Sequence, residues 1–200
     1  SPYIISDFIE VNAGAVLTIE PGVTLKFEGI IGLDIGSFTD GKLVAVGTAQ
    51  DPIVFTSAAP TPAAGDWAYI SFGDNTMAGT QIAYARLDYC GSEFACIISS
   101  DVKANRVTLD HLTIDHSGSD GILEDGAASN FAITNSSFSN IPTTPTMQYA
   151  ISVQAPSFAG IGANNTFNGG AMIELAGGTV ASTTSWLDPG TSIAVTDDLL

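Results

Sequence analysis

Cations are the scarcest resource of this chain: Lys and Arg number 5 against 21 Asp and Glu, a net charge of −16. Nucleic acid and anionic membrane surfaces are therefore poor partners, because phosphate recognition needs basic patches that five cations cannot build. Charge of either sign is thin, at 13% of residues against the usual quarter. No apolar run of about 18 residues occurs, which excludes a membrane-spanning helix and predicts a chain that does not insert into a bilayer. No leader precedes Ser1, and a start at Ser-Pro reads as that of a processed product or of a trimmed chain, so export stays open. Cysteines are limited to Cys90 and Cys96, six apart around an expected corner. They form a disulfide, implying an oxidising compartment, or remain two thiols; with no His nearby they are too few for a metal site. Helical periodicity is missing as well. A 45% hydrophobic fraction spread over 200 residues still requires one sizeable core.

What fills the chain is a repeat. Leu112-Thr-Ile114-Asp-His-Ser-Gly-Ser-Asp-Gly-Ile122 is echoed by Ser136-Ser-Phe138-Ser-Asn140 with Ala150-Ile151, and by Asn165-Thr-Phe167-Asn-Gly-Gly-Ala-Met-Ile173. An earlier copy runs from Leu87-Asp-Tyr89-Cys-Gly to Ile97. Each has a small polar strand with one apolar residue, a Gly, Ser, Asn or Pro corner, and a short apolar strand ending in Ile. Spacings of 22 to 29 residues are those of a solenoid, whose units bury their apolar faces only by stacking. Val107 to Ile114 and Phe131 to Phe138 alternate apolar and polar at period 2 and are rich in Val, Ile, Thr and Phe, so strands and corners account for the repeat. Tyr89, Ile114, Phe138 and Phe167 are expected to stack inside successive coils, one strand spacing of about 4.8 Å apart.

The N-terminal half fits the same plan. Tyr3 to Val11 reads as a strand closing the first coil, with residues 1–14 as a cap. Glu20-Pro-Gly22 is a tight turn between strands at 15–19 and 23–27, and Ala58 to Gly65, with Pro60 and Pro62, is a protruding loop. Residues 15–175 supply the coils and 176–200 the last coil and tail, one domain of about eight coils.

The succession Leu17-Thr-Ile-Glu-Pro-Gly-Val-Thr-Leu-Lys-Phe27, Gly41-Lys-Leu-Val-Ala-Val-Gly-Thr48, Pro52-Ile-Val-Phe-Thr-Ser57 and Gly65-Asp-Trp67 with Ile70-Ser-Phe72 resembles the right-handed parallel β-helix modules of secreted bacterial surface proteins. From Ile82 to Ile173 the pattern is similar to the repeat of pectate-lyase-like proteins. The resemblance implies an all-β, right-handed parallel β-helix and leaves function open, since this fold carries lyases, hydrolases, tailspikes, adhesins and passive stalks.

Family hydrolases need two or three carboxylates on one exposed strand face, and lyases a cationic base beside a calcium-binding acidic cluster. Of the polygalacturonase-like motifs, Asn-Thr-Asp, Gly-His-Gly and Arg-Ile-Lys do not occur, and Asp-Asp stands only in the tail, at Asp197-Asp198. The one dense constellation is Asp110-His111, Asp115-His116, Asp120, Glu124 and Asp125, with Lys103 and Arg106 upstream. Strand alternation places each Asp and its neighbouring His on opposite sides, while His116 and Asp120 flank the Ser117-Gly-Ser119 corner. Asp115, His116 and Asp120 are the acid, base or calcium candidates; the competing reading makes these acids solvated corner residues. Trp67 and Tyr69 on one strand face suit an aromatic sugar platform, and the same alternation sends Phe72 into the core. A threonine array fails on register, and Asn135-Ser-Ser137 and Asn164-Asn-Thr166 match glycosylation acceptors.

The expected function is an extracellular or cell-surface structural or adhesive β-helix, non-catalytic, binding polysaccharide or copies of itself. No cofactor is expected, with calcium as the alternative. The competing reading is a polysaccharide lyase or hydrolase with its site on the 110–125 coil. Residues 126–187 carry a single charge, Glu174, so this flank reads as a packing surface, and the 192–200 tail either pairs with a neighbouring edge or closes its own last coil.

Overall fold

A computed structural model describes residues 2–100, 106–126, 131–143, 147–180, 183 and 185–197. Lys103 lies outside the described residues, as do parts of the low-charge flank and the last three residues of the tail.

The chain winds through three strand directions per turn. The first turns carry β1 (Tyr3–Ile5), β2 (Ile9–Val11), β3 (Ala15–Ile19), then β4 (Thr24–Phe27), β5 (Leu33–Ile35), β6 (Gly41–Val46), then β7 (Ile53–Ser57) and β8 (Ile70–Phe72). Two long strands, β9 (Thr80–Asp88) and β11 (Val107–Asp115), enclose β10 (Ala95–Ser99). After them come β12 (Asp120–Glu124), β13 (Phe131–Thr134), β14 (Ser137–Ser139), β15 (Ile151–Val153), β16 (Thr166–Phe167), β17 (Ile173–Leu175) and β18 (Ile193–Val195). Among the described residues every strand pairing is parallel. A parallel strand cannot be reached by a hairpin, so each partner lies a full turn away, and such crossovers are right-handed.

Three faces result. The first stacks β1, β4, β7, the C-terminal half of β9, that of β11, β14 and β16; the second stacks β2, β5, β8, β10, β12, β15, β17 and β18. The third stacks β3, β6, the N-terminal halves of β9 and β11, and β13. Each contributes an inner ladder to the core. On the first it is Leu25, Phe55, Leu87, Ile114, Phe138 and Phe167. On the second it is Ile9, Leu33, Ile70, Ile97, Ile122, Ile151, Ile173 and Ile193. Ile19, Ala45, Ile82, Leu109, Ile133 and Ile161 line the third. Stacking one apolar residue on the next removes every rung from water except the end ones, which is why a repeat too small for its own core folds as an array.

The eight strands of the second face give the eight levels that the sequence predicts, and Ile97, Ile122, Ile151 and Ile173 pair as the spacings require. Three details differ. Tyr89 is not in the inner ladder; Leu87 takes that place opposite Ile114. Tyr3 to Val11 is two strands on two faces, not one closing strand, because the chain turns between Ile5 and Ile9. Coil lengths also fall outside the expected range on both sides, with 37 residues separating Leu33 from Ile70, since that turn contains the 58–65 loop, and only 20 separating Ile173 from Ile193. The tail closes its own stack, β18 pairing with β17.

Candidate functional site

β9 and β11 turn from the third face to the first without interruption because one residue in each is left-handed: Tyr84 (φ 48°) and His111 (φ 51°). Register places Asn135 (φ 53°) and Asn164 (φ 63°) above them. Five residues on, Tyr89 (φ 64°), His116 (φ 53°), Asn140 (φ 51°) and Gly169 (φ 69°) form a second such corner. Asn, His and Gly tolerate this conformation, whereas a bulky Tyr there is an outlier that its surroundings must hold. Ring stacking does so: Tyr84 lies on His111 with centroids 4.3 Å apart, and Tyr89 on His116 at 5.2 Å.

Between these two rails lies the outer surface of the first face. Because His111 and His116 are left-handed, strand alternation fails there, and each His touches the Asp before it instead of pointing away. His111 Nδ1 is 2.8 Å from Asp110 Oδ2, and His116 Nδ1 is 3.1 Å from Asp115 Oδ1. Each carboxylate is also held by the next rung. Thr134 Oγ1 and Asn135 Nδ2 donate to Asp110 Oδ1 (2.6 and 2.7 Å); Ser139 Oγ and Asn140 Nδ2 donate to Asp115 Oδ1 (2.9 and 2.8 Å). Arg86 bridges two acids, with Nε on Asp88 and Nη2 on Asp115 Oδ2 at 3.1 Å.

Burial alone would raise the Asp115 carboxyl, but the hydrogen bonds from Asn140 and Ser139 and the charges of His116 and Arg86 outweigh it and hold it below the ordinary value. Asp110 is lowered likewise: burial opposes, while Thr134, Asn135 and His111 prevail. Asp88 goes the other way, its burial exceeding the help of Arg86, and Asp115 adds repulsion.

Alongside the Tyr84, His111 and Asn135 rail runs an open groove of about 420 Å³, bordered by Arg86, Thr113 and Ser137 and ended by the Thr48 to Pro52 loop. Its repeat along the stack is one rung, about 4.8 Å.

Asp120 is elsewhere. It opens β12 on the second face, is buried, and accepts from Tyr149 N at 2.7 Å through Oδ1. Burial, with Glu174 nearby, raises its pKa to about 7 against the opposing Tyr149 bond. Among the described residues no hydrogen bond or ion pair joins Asp120 to Asp115 or His116, so the expected trio is not one site. Ser117 Oγ donates to Asp120 O and accepts from Ser119 N, closing the corner on itself. Among the described residues no group of three His, Cys, Asp or Glu is placed to hold a metal ion. Asp120 and Glu124 are both buried, so the solvated-corner reading fails for them; Asp125 is exposed, and Arg106 donates to Thr76 O.

Trp67 is no platform. It is fully buried, lies parallel to Phe27 at 4.3 Å, and donates from Nε1 to Asp88 O at 2.7 Å. Alternation misplaced it because Trp67 and Ala68 are both buried where the chain bends into the second face. Tyr69 does reach the surface, half-buried, its ring 6.1 Å from that of Phe8. Cys90 and Cys96 are joined, and both are buried beneath the corner they close.

The corner rails went unnoticed in the sequence although a signal was present: Asp110-His and Asp115-His, then Thr134-Asn and Ser139-Asn, repeat at an interval of five in consecutive coils.

Residues 1–93 match the model of the pectate-lyase-like beta helix domain. The chain is also similar to Protein bark beetle of Drosophila melanogaster, 51% identical over 61 residues, which is 30% of this chain and 2% of that protein. This chain thus spans a small part of that relative's length. No solved structure gives a significant match. With every described strand pairing parallel and the N-terminal coils matching that model, the chain is a right-handed parallel β-helix.

Proposed function

We propose that the chain is an extracellular, non-catalytic β-helix module that binds a neutral glycan along the groove of its first face. The observation that carries this reading is the engagement of the acids. Asp110 and Asp115 each accept two hydrogen bonds from the next rung, and Arg86 is shared between Asp88 and Asp115. Carboxylates locked between rungs are poor proton shuttles, and a guanidinium paired with two acids is a poor base. What the groove leaves for a ligand is the Tyr84–His111 stack and the hydroxyls of Thr113 and Ser137, which make only a long 3.4 Å bond to one another, while the Asn135 amide beside them is engaged by Asp110 and Asn164. A net charge of −16 disfavours an acidic polymer. The buried disulfide supports an oxidising, extracellular setting.

A hydrolase reading draws on one feature, the opposite pKa directions of Asp88 and Asp115 on adjacent rungs. Against it, Asp88 is 6% exposed. Affinity electrophoresis against neutral and acidic polysaccharides, with a reducing-end assay, separates the two. Retention on a neutral polymer, weakened by His111→Asn, and no new reducing ends are expected. Reducing ends released by the native chain and lost in Asp115→Asn would establish the hydrolase, and absence of retention on every polymer would end the glycan reading.

A further inference from the structure

The second face carries another surface, which the glycan groove does not use. Register sets Phe8, Gly32 and Tyr69 in one outward row that ends on the buried Cys96, and Glu10, Asp34, Ser71, Ile98 and Leu123 in the row beside it. Gly32 matters to this row, because a Cβ there would meet Tyr69 O at 2.2 Å. With no side chain at that rung, the rings of Phe8 and Tyr69 close to 6.1 Å across it. The Cys90–Cys96 disulfide then pins the next corner and holds Phe94 out at 60% exposure. Tyr69 and Phe94 thereby wall a cleft of about 250 Å³, floored by Ile98 and Leu123 and closed on the far side by Asp125.

We propose that this cleft docks a lysine- or arginine-bearing apolar segment of another protein. Charge complementarity argues for it. Asp34, Glu93 and Asp125 surround the aromatic walls, and among the described residues no Lys, Arg or His pairs with any of them. The same negative field is felt inside the rim: burial and then Glu10 push the Asp34 carboxyl up, and burial followed by Asp34 and Glu93 pushes the Tyr69 hydroxyl up. A cation seated here relieves that repulsion and meets two ring faces. A bare metal ion is the wrong occupant, since the carboxylates do not converge. The apolar floor instead fits a cationic head on a hydrocarbon stem, the chemistry of Lys and Arg. An anionic lipid surface is repelled by the rim, and an exposed aromatic patch framed in charge marks a protein contact.

The test is a methyl and aromatic NMR titration of the full chain with acetyl-Leu-Lys-Leu-Lys-Leu-amide, and with the same peptide carrying Glu for Lys. Saturable shifts are expected at Ile98, Leu123 and Phe94 with the Lys peptide alone, weaker as salt rises. Phe94→Ala and the Asp34→Asn/Asp125→Asn pair should each weaken binding about fivefold, the size of one exposed cation–π or ion-pair contact. Phe94 and Asp125 are exposed, so an unchanged circular dichroism melt certifies the fold of Phe94→Ala. No saturable shift, shifts confined to the first-face groove, equal binding of the Glu peptide, or variants that bind as tightly as the native chain would each overturn the proposal. The glycan reading is untouched by any of these results, because it concerns the other face.

Discussion

Replacing Trp67 by Ala distinguishes a core residue from a sugar platform more sharply than any binding assay. The indole is fully buried and stacked on Phe27, where the chain bends from the first face into the second. Burying a Trp removes roughly 150 to 250 Å² from water, worth about 4 to 6 kcal/mol at 25 cal/mol per Å², and an upper bound because unfolded chains are partly compact. Measured truncations of buried aromatics cost about 3 to 5 kcal/mol, in agreement. Against a typical stability of about 5 to 15 kcal/mol, that is a large share, and it lowers the melting temperature by roughly 6 to 20 °C for a chain of this size. Trp67→Phe keeps a ring against Phe27 but loses the Nε1 donor to Asp88 O and part of the buried ring volume, so a loss of at least about 1 to 3 kcal/mol is expected, from the orphaned carbonyl with the cavity adding to it. Urea unfolding followed by far-UV circular dichroism reads both. A Trp67→Ala variant within about 1 kcal/mol of the native chain would refute the buried placement.

Two further outcomes follow from buried groups. Asp120 has a folded pKa of about 7, above its unfolded value, so its ionisation opposes folding: the penalty is absent below the unfolded pKa near 4 and grows as pH rises through 7. Asp120→Asn, which keeps an acceptor for Tyr149 N, should therefore raise stability by a few kcal/mol at pH 8 and leave it unchanged at pH 4, and equal stability gains at both would contradict it. Cys90 and Cys96 close a short loop, so the double Ser variant should lose about 2 kcal/mol, and mass spectrometry before and after reduction should differ by two hydrogens; two alkylatable thiols in unreduced protein would contradict the pairing.

The parts legible in the sequence were those governed by stacking. Ile97, Ile122, Ile151 and Ile173 announce themselves because an inner ladder accepts little but a β-branched apolar residue at each rung, and the corners keep the spacing nearly constant. Illegible were the places where period 2 breaks. Alternation puts His111 and His116 on the wrong side because a single left-handed residue rotates its side chain without any insertion. Alternation makes Tyr89 interior for the same reason, and Trp67 exterior because two consecutive residues are buried at a bend. Asp120 and Glu124 show a different limit: charge in a sequence suggests solvent, yet both are interior. Only the third dimension shows Tyr149 N covering the first.

A parallel stack has a general difficulty with acids, since a residue type repeated at one position of successive rungs stands about 4.8 Å from its copy, where like charges repel. The first face resolves this with its own residues. Arg86 lies between Asp88 and Asp115, and above Asp110 and Asp115 the next rung supplies Thr134, Asn135, Ser139 and Asn140, neutral donors in place of further acids. The second face does not: Glu10 and Asp34 occupy adjacent rungs in register, and Glu10 adds to the cost that burial already sets on ionising Asp34. A surface that has already neutralised its charge is suited to an uncharged ligand. One that retains a stacked acidic pair beside exposed rings is suited to a cation from outside, and the two faces of this β-helix differ in that respect.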